Sequence, residues 1–395
     1  MDSLLIASDE NVKQIPNMEL CQMEYRYDVS IRDGNTERSE ELKATIMDII
    51  TKDNMAPHYN YLCTKFGWAV EEEKLSTMSS TNTEALEKIE KDRIDALENA
   101  GDTEVLDCLF AKARLYATIG DCDEAYKAYD SIIEKKKVSS GKKIDATLEK
   151  IRVAFFAMDK SKIKSLLEDA VKLVDAGGDW DRRNRLKVYE AYYLIACREI
   201  RKAAAILLEC VATFSCVELC SYNEFMFLTI VTSIITLPRA ELRTKVVKNP
   251  QVISTMREFP HLERVLMSIY NCEYSNFFRS IIEMYPIISD DRYLGPHVTY
   301  LVREYRVTAY SQFLDAYRSV MLSSMALSFG IDIALLDREL SRFIAAGRLN
   351  AKIDKVGDII ETSRPDKKNG QYQEVIKKGD LLLNQIQKLA RVIQM

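Results

Sequence analysis

The sequence predicts a mainly α protein: a helical-repeat solenoid leading into a winged-helix module, with a separate C-terminal helix. Three observations carry this. Only 13 glycines and 8 prolines punctuate 395 residues, too few for a sheet-rich fold with many tight turns. The acidic turn residues Asp121, Asp159 and Glu199 each open a helical apolar pattern, at spacings of 38 and 40 residues. The C-terminal third reads helix, strand, helix, turn, helix and β-hairpin, the order of a winged helix.

Composition narrows the class further. Hydrophobic residues make up 47% and charged residues 29%, which is globular, and the length calls for two or three domains or one extended array. A net charge of −5 lacks the basic surplus of a chain that grips a phosphate backbone. Nine scattered cysteines read as reduced core thiols of an intracellular protein, since an odd number builds no disulfide framework. Met1–Glu10 is acidic and lacks the basic region of a signal peptide. Phe225–Leu237, the most apolar run, is 13 residues with four Ser or Thr; it is too short to span a bilayer and reads as a buried helix.

The first 75 residues are mixed. Asp53–Pro57 is a turn signal, followed by the aromatics Tyr59, Tyr61, Phe66 and Trp68. From Ser76 the texture becomes helical and charged: Asn82 is expected to cap a solvated helix with Leu86, Ile89, Ile94 and Leu97 as its apolar edge. Leu109, Ala113 and Tyr116 then share a helical face, Gly120-Asp121 breaks it, and Ala125, Tyr129 and Ile132 begin a second helix. This resembles the tetratricopeptide (TPR) pattern of two short antiparallel helices. Asp159 with Ile163, Leu167 and Ala170, and Glu199 with Ala203, Leu207 and Cys210, are two further copies. Such hairpins bury their apolar faces by stacking on their neighbours.

Gly177–Tyr193 leads into the third hairpin. Gly177-Gly178 is expected to end a helix in left-handed geometry, Asp179 or Asp181 to cap the next, and Leu186, Tyr189, Tyr193 and Cys197 to face the core. The Trp180-Asp181 dipeptide is no propeller signature, because the strand-rich repeat around it is missing. Arg182, Arg183 and Arg185 form either a solvated face or a contact for an acidic partner surface.

In the C-terminal third, Val302–Tyr317 reads as a helix and Ser319–Leu322 as a short strand. Ser323 or Ser324 is expected to cap Met325–Phe329, and Gly330 to turn the chain. The next helix presents Ile333, Leu336, Leu340, Phe343 and Ile344 and ends at Gly347. Leu349, Ala351 and Ile353 then alternate as a strand, and Asp358–Thr362 pairs back. Arg364–Gly370 is a polar break. From Tyr372 a last helix carries Val375, Leu382, Ile386, Leu389 and Ile393, spaced 7, 4, 3 and 4, a heptad seam. Burying five such anchors is worth about 7–15 kcal/mol gross, against about 0.2–1 kcal/mol for each exposed ion pair. The seam is therefore expected to join helices of other subunits; folding back onto its own chain is the alternative. The expected divisions are 1–75 N-terminal, 76–190 repeats, 191–363 repeats plus winged helix (about 300–363), and 364–395 the last helix.

Chemistry is sparse. His58, His261 and His297 lie far apart with no metal-ligand spacing. Cys210, Cys216 and Cys220 read as buried thiols, and Ser139–Lys143 as a charged loop, not a phosphate loop. We expect no catalytic or metal-binding residue, no cofactor and no enzyme. On the winged helix, Asp337, Arg338, Glu339 and Arg342 sum to zero charge, whereas a helix reading the major groove needs a basic excess. Protein contact is expected there through Arg342, Phe343, Arg348 and Leu349, with plain core the competing reading of Phe343 and Leu349.

A repeat array running into a winged helix resembles the PCI-domain proteins, scaffolds of the proteasome lid, the COP9 signalosome and an initiation-factor complex. The blocks Asp53–Pro57, Gly177–Tyr189, Ser341–Leu349 and Lys377–Asn384 are similar to the non-ATPase lid subunits of the 26S proteasome, and the likeness runs from about Lys52 to Met395. Residues 1–50, 76–175 and 211–289 depart from it. The resemblance implies a non-catalytic structural and assembly subunit of the lid of the 19S regulatory particle, supporting degradation of ubiquitinated proteins in cytoplasm and nucleus. It also implies partners: other PCI subunits, the lid deubiquitinase subunits, the small acidic lid subunit, and the ATPase ring or 20S core, with no nucleic acid and no membrane. The rivals are a signalosome scaffold and, from another class, a winged-helix nucleic-acid-binding regulator.

Overall fold

The structure is a computed structural model that describes residues 14–99, 101–135, 138–363 and 367–393. Helices α1 (Met18–Arg32) and α2 (Thr36–Lys52) begin at Asn17 and Asn35, whose side chains accept from backbone N–H groups of their first turns. Asn54 takes a left-handed φ of 52° at the expected turn, and Pro57 opens α3 (Ala56–Phe66) where its missing N–H costs nothing. These helices bury Leu20, Tyr27, Ile46, Ile50, Tyr59 and Leu62. Trp68 donates its indole N–H to the Tyr27 hydroxyl at 2.9 Å, and Tyr27 meets the Phe66 ring edge-on at 4.8 Å. Tyr61, grouped with these aromatics from the sequence, instead points outward and stacks on His58.

Helix α4 (Glu72–Asn99) starts before the expected cap. Asn82 lies inside it and donates its side-chain amide to the Asn54 carbonyl at 2.8 Å, tying α4 to the turn before α3. Leu86 and Ile89 are half-buried, while Ile94 and Leu97 are exposed.

Three hairpins follow: α5 (Asp102–Ile119) with α6 (Cys122–Ile133), α7 (Ser140–Ala157) with α8 (Lys160–Asp175), and α9 (Trp180–Ala196) with α10 (Ile200–Cys210). The period seen in the sequence is also a backbone period. Gly120, Met158 and Arg198, each just before a turn acid, have φ of 84°, 54° and 66°. Asp121 and Asp159 cap α6 and α8 through their carboxylates; Glu199 occupies the same position without a side-chain cap bond. Ala125, Tyr129, Ile132, Ile163, Leu167, Ala170, Ala203, Leu207 and Cys210 are all buried, as their spacing predicts. Ala113 is fully buried, with Leu109 and Tyr116 packed beside it. Only the first turn has glycine, and there it is required twice over. A Cβ on Gly120 would stand 2.7 Å from the Cβ of His58, at a left-handed φ. Gly120→Ala should cost at least ~1–2 kcal/mol from backbone strain alone, read as a lower urea midpoint; an unchanged midpoint would refute the close approach.

The join between α8 and α9 differs from expectation. The C-cap is Ala176 in right-handed conformation, and Gly177 has a φ of 159°, nearly extended. Gly178 is needed for proximity instead: a Cβ there would meet Val174 Cα at 2.8 Å. Asp179 stands at the N-cap without a side-chain cap bond, because its carboxylate pairs with Arg182. The core face of α9 holds Leu186 and Tyr189 but then Tyr192, while Tyr193 and Cys197 are only half-buried. Helical rotation of about 100° per residue explains the slip: Tyr193 and Cys197 lie about 40° and 80° to one side of Tyr189, whereas Val188, Tyr192 and Ile195 lie on its other side, where the buried face is centred. Ser139–Lys143, expected as a loop, opens α7, with Ser139 accepting from the Lys142 N–H.

Helix α11 (Tyr222–Thr236) is the apolar run. A reciprocal Ser221–Glu224 capping box starts it, and Phe225–Ile234 are buried. Cys210, Cys216 and Cys220 are buried before it; burial pushes Cys210 up to about 11 and raises the other two thiols as well. Then come α12 (Arg239–Leu242), α13 (Pro250–Met256), α14 (Pro260–Asn271), α15 (Tyr274–Ser289) and α16 (Val298–Leu314). No helix among the described residues is long and apolar enough to cross a membrane.

Between α15 and α16, Asp291 is half-buried. Its carboxylate accepts from the N–H groups of Tyr293 and Leu294 at 2.8 and 2.7 Å. Burial raises it from the usual 3.8 to about 6, aided by the charge of Glu224 and opposed by those two bonds and Arg26. The folded state then holds a proton that the unfolded chain has lost between about pH 4 and 6. Stability should fall as pH rises through that window, by an order of ~3 kcal/mol per such shift. Asp291→Asn keeps the acceptor oxygen and should flatten the slope; an unaltered pH profile would rule this out.

The chain divides into two units, one reaching to Tyr270 and including Ser280–Val302, the other comprising Asn271–Arg279 and the chain from Arg303 onward. The second unit contains the winged helix. Strand β1 (Ser319–Met321) runs straight into α17 (Leu322–Phe329), with Ser323 and Ser324 in its first turn and no side-chain cap. Gly330 ends α17 with a φ of 66°, and α18 (Ile333–Ala345) follows. Strands β2 (Ala351–Asp354) and β3 (Ile359–Thr362) complete a three-stranded antiparallel sheet in the order β1-β3-β2, pairing Val320 and Ile353 with the fully buried Ile360. Phe329 is the aromatic centre, with the Tyr274, Phe278, Tyr310 and Phe313 rings 4.8–5.4 Å away. Helix α19 (Lys367–Ile393) starts inside the expected polar break and continues through Gly370 and Gly379; Arg364–Asp366 lie outside the described residues.

Candidate assembly interface

The side chains of α19 are exposed from Lys368 to Ile393. The seam residues Val375, Leu382, Ile386, Leu389 and Ile393 are 56–74% exposed. On a helix turning about 100° per residue, Tyr372, Ile376 and Leu383 extend the same face into an arc of roughly 140°. A two-stranded coiled coil uses a narrower stripe, so this breadth suits a bundle in which several helices close over one. Two interior glycines cost about 1 kcal/mol each in helix propensity, so packing by a partner has to supply the stability. The sequence named the seam but missed its flanks, because a heptad template scores only two positions in seven.

On the winged helix the four predicted contact residues separate. Phe343 and Leu349 are buried, Phe343 against Tyr310, which is the core reading of both. Arg348 pairs with the buried carboxylate of Glu304. Arg342 is exposed. The zero charge of α18 also divides by face. Glu339 accepts from Arg306 and from the Tyr310 hydroxyl, and Asp337 pairs with Lys355. Arg338 and Arg342 face outward together with Leu335, and Ile333, also exposed, lies on the opposite side of the first turn. Apolar residues beside arginine are the composition of a protein contact, whereas bare isoleucine and leucine offer nothing to phosphate. Leu327 on α17 is 84% exposed and escaped sequence reading, since its spacing fits a core helix equally well.

The arginines of α9 separate too. Arg182 bonds Asp145 at 2.7 and 2.8 Å, and Arg185 pairs with Asp181 and reaches Glu218 at 3.5 Å. Asp181, which burial alone would raise, is held below the usual carboxylate range by its bond from Arg185. These two arginines therefore tie the fold together, and the solvated-face description applies to Arg183, which is exposed beside the exposed Trp180. Two of the three histidines serve the fold: His58 and Glu24 form a buried pair at 2.5 Å, and His297, whose pKa burial lowers, lies 3.2 Å from the Ala196 carbonyl, while His261 lies exposed beside Glu283. Among the described residues, no group of three His, Cys, Asp or Glu side chains is placed to hold a metal.

Comparison with known proteins matches these parts one by one. The family profile of 26S proteasome subunit RPN7 covers residues 71–245, that of the PCI domain 284–364, and that of the RPN7/PSMD6 C-terminal helix 371–393. The chain is 42% identical over 355 residues to the 26S proteasome non-ATPase regulatory subunit 6 homolog of Arabidopsis thaliana, covering 90% of this chain and 92% of the relative. It is 39% identical over 385 residues to the corresponding subunit of Dictyostelium discoideum, covering 98% and 99%. With the regulatory subunit RPN7 of Saccharomyces cerevisiae it shares 32% identity over 412 aligned positions, covering 98% and 95%.

Proposed function

The chain belongs to the family of 26S proteasome non-ATPase regulatory subunit 6, or RPN7, and from that premise we propose that it is a structural and assembly subunit of the proteasome lid. The observation that carries this is α19: a broad apolar face, exposed along its length, in the segment that matches the family's C-terminal helix. In this reading the seam from Val375 to Ile393 enters a helical bundle shared with other subunits. The outward residues of α18, Arg342 among them, meet the winged helices of other PCI subunits, with residues 191–363 acting as the PCI domain. Arg183 is offered to an acidic neighbour. The remaining partners are the lid deubiquitinase subunits, the small acidic lid subunit, and the ATPase ring or 20S core, in cytoplasm and nucleus. The chain positions their chemistry and performs none itself.

The test is the composition of the complex that co-purifies with the tagged chain. Recovery of ATPases and a peptidase core is the expected result. Recovery of PCI proteins and cullins alone would assign it to a signalosome instead. Salt-dependent DNA binding by the intact chain, absent in our reading, would support the nucleic-acid rival.

A further inference from the structure

Helices α5, α7 and α9 and the segment after α10 line a cavity of about 210 Å³ within the first unit. Arginines reach it from three helices: Arg114 from α5, Arg152 from α7, and Arg182 and Arg185 from α9. The acids Asp145, Glu149 and Glu218 share the lining, while Asp179 and Asp181 pair with Arg182 and Arg185 from outside it. We infer that this cavity is a binding site for a single tetrahedral oxyanion of the phosphate class.

Arg152 is the centre of the argument. It is 9% exposed, and its Nε donates to the Ile15 carbonyl at 3.0 Å. Its terminal nitrogens stand 3.8 Å from Glu149 and 3.7 Å from Glu218, beyond hydrogen-bond reach. Glu149 is already engaged by Arg114 at 2.6 Å and by the Tyr129 hydroxyl at 3.1 Å, and Asp145 by Arg182. A buried guanidinium with loosely held terminal donors is costly unless something accepts from it.

Size and shape narrow the ligand. The space far exceeds one water, whose share of liquid volume is about 30 Å³, and falls below the roughly 300 Å³ where drug-sized ligand pockets begin. Donors that converge from three helices match the oxygens of a tetrahedral ion better than the two coplanar oxygens of a carboxylate. With five acids in or beside the cavity against four arginines, the surroundings oppose a polyanion, and the terminal donors of Arg152 are what a single ion would meet. Bound there, the ion would cross-link α5, α7 and α9, stiffening the solenoid where three hairpins stack.

The test uses the full chain, comparing thermal unfolding in sodium phosphate and in sodium chloride at matched ionic strength, with calorimetric titration of inorganic phosphate. Phosphate raises stability generally by exclusion from protein surfaces, so the variants decide. The expected result is saturable binding of phosphate that Arg152→Lys weakens at least tenfold, because a point charge replaces the fork. Arg114→Gln, at a half-exposed position, should weaken it several-fold and serves if Arg152→Lys does not fold. Titration with O-phosphoserine separates the sources: equal binding assigns a phosphate ester, and loss of binding assigns the free ion. No saturable binding, or binding unchanged in both variants, overturns the site.

Discussion

Removing residues 371–393 should leave the chain folded and abolish its recovery in the assembled complex. The helix buries nothing of its own, since its side chains from Lys368 onward are exposed, so its loss takes no core with it. What is lost is the partner contact: five seam anchors at about 1.5–3 kcal/mol each when buried. Even after the entropic cost of association, that is enough to separate assembled from free subunit. A single change is the sharper version. Leu382→Asp places a carboxylate at the middle of the seam, and burying an unpaired charge should cost several kcal/mol, at least a hundredfold in association. Native gel electrophoresis reads both, with circular dichroism reporting the intact fold. An unchanged assembly state would mean that α19 is not the anchor.

Glu149→Ala should be the most damaging single change in the repeats, at about 3–5 kcal/mol. Glu149 is 6% exposed and joins three helices, accepting from Arg114 of α5 and from Tyr129 of α6 and standing 3.8 Å from Arg152 on its own α7. Its removal leaves the buried Arg152 facing Glu218 alone at 3.7 Å. It also strands the Tyr129 hydroxyl, whose proton burial and the neighbouring carboxylate already hold tightly. Urea unfolding measures the loss, and a cost below about 1 kcal/mol would show that the network is ornamental to stability. The variant also bears on the anion site. With Glu149 gone the cavity is more positive, so phosphate should recover more stability for Glu149→Ala than for the natural chain.

What could be read from the chain and what could not divide along physical lines. Repeats with a 38- and 40-residue period, the winged-helix order and the last helix's seam were legible because each is a local pattern. Apolar residues at helical spacing, an acid before a helix and a glycine after one act within a few residues. The same locality explains the misses. Asn82 looked like a cap because Asn usually is one, but its amide was taken by Asn54 across a helix packing contact. Tyr193 and Tyr192 are both plausible core residues, and only the stacking of α9 on its neighbours chose Tyr192.

A helical-repeat, winged-helix scaffold with an apolar terminal helix could be derived from the chain alone, because those properties follow from periodicity and from apolar area that must be covered. Which charges lie on the surface depends instead on how the helices pack. Arg182 and Arg185 meet acids up to 37 and 33 residues away, and the two acids of α18 turn to Arg306 and Lys355, leaving Arg338 and Arg342 outward. Charge carries no period and acts through space, so its partners appear only once the chain has folded.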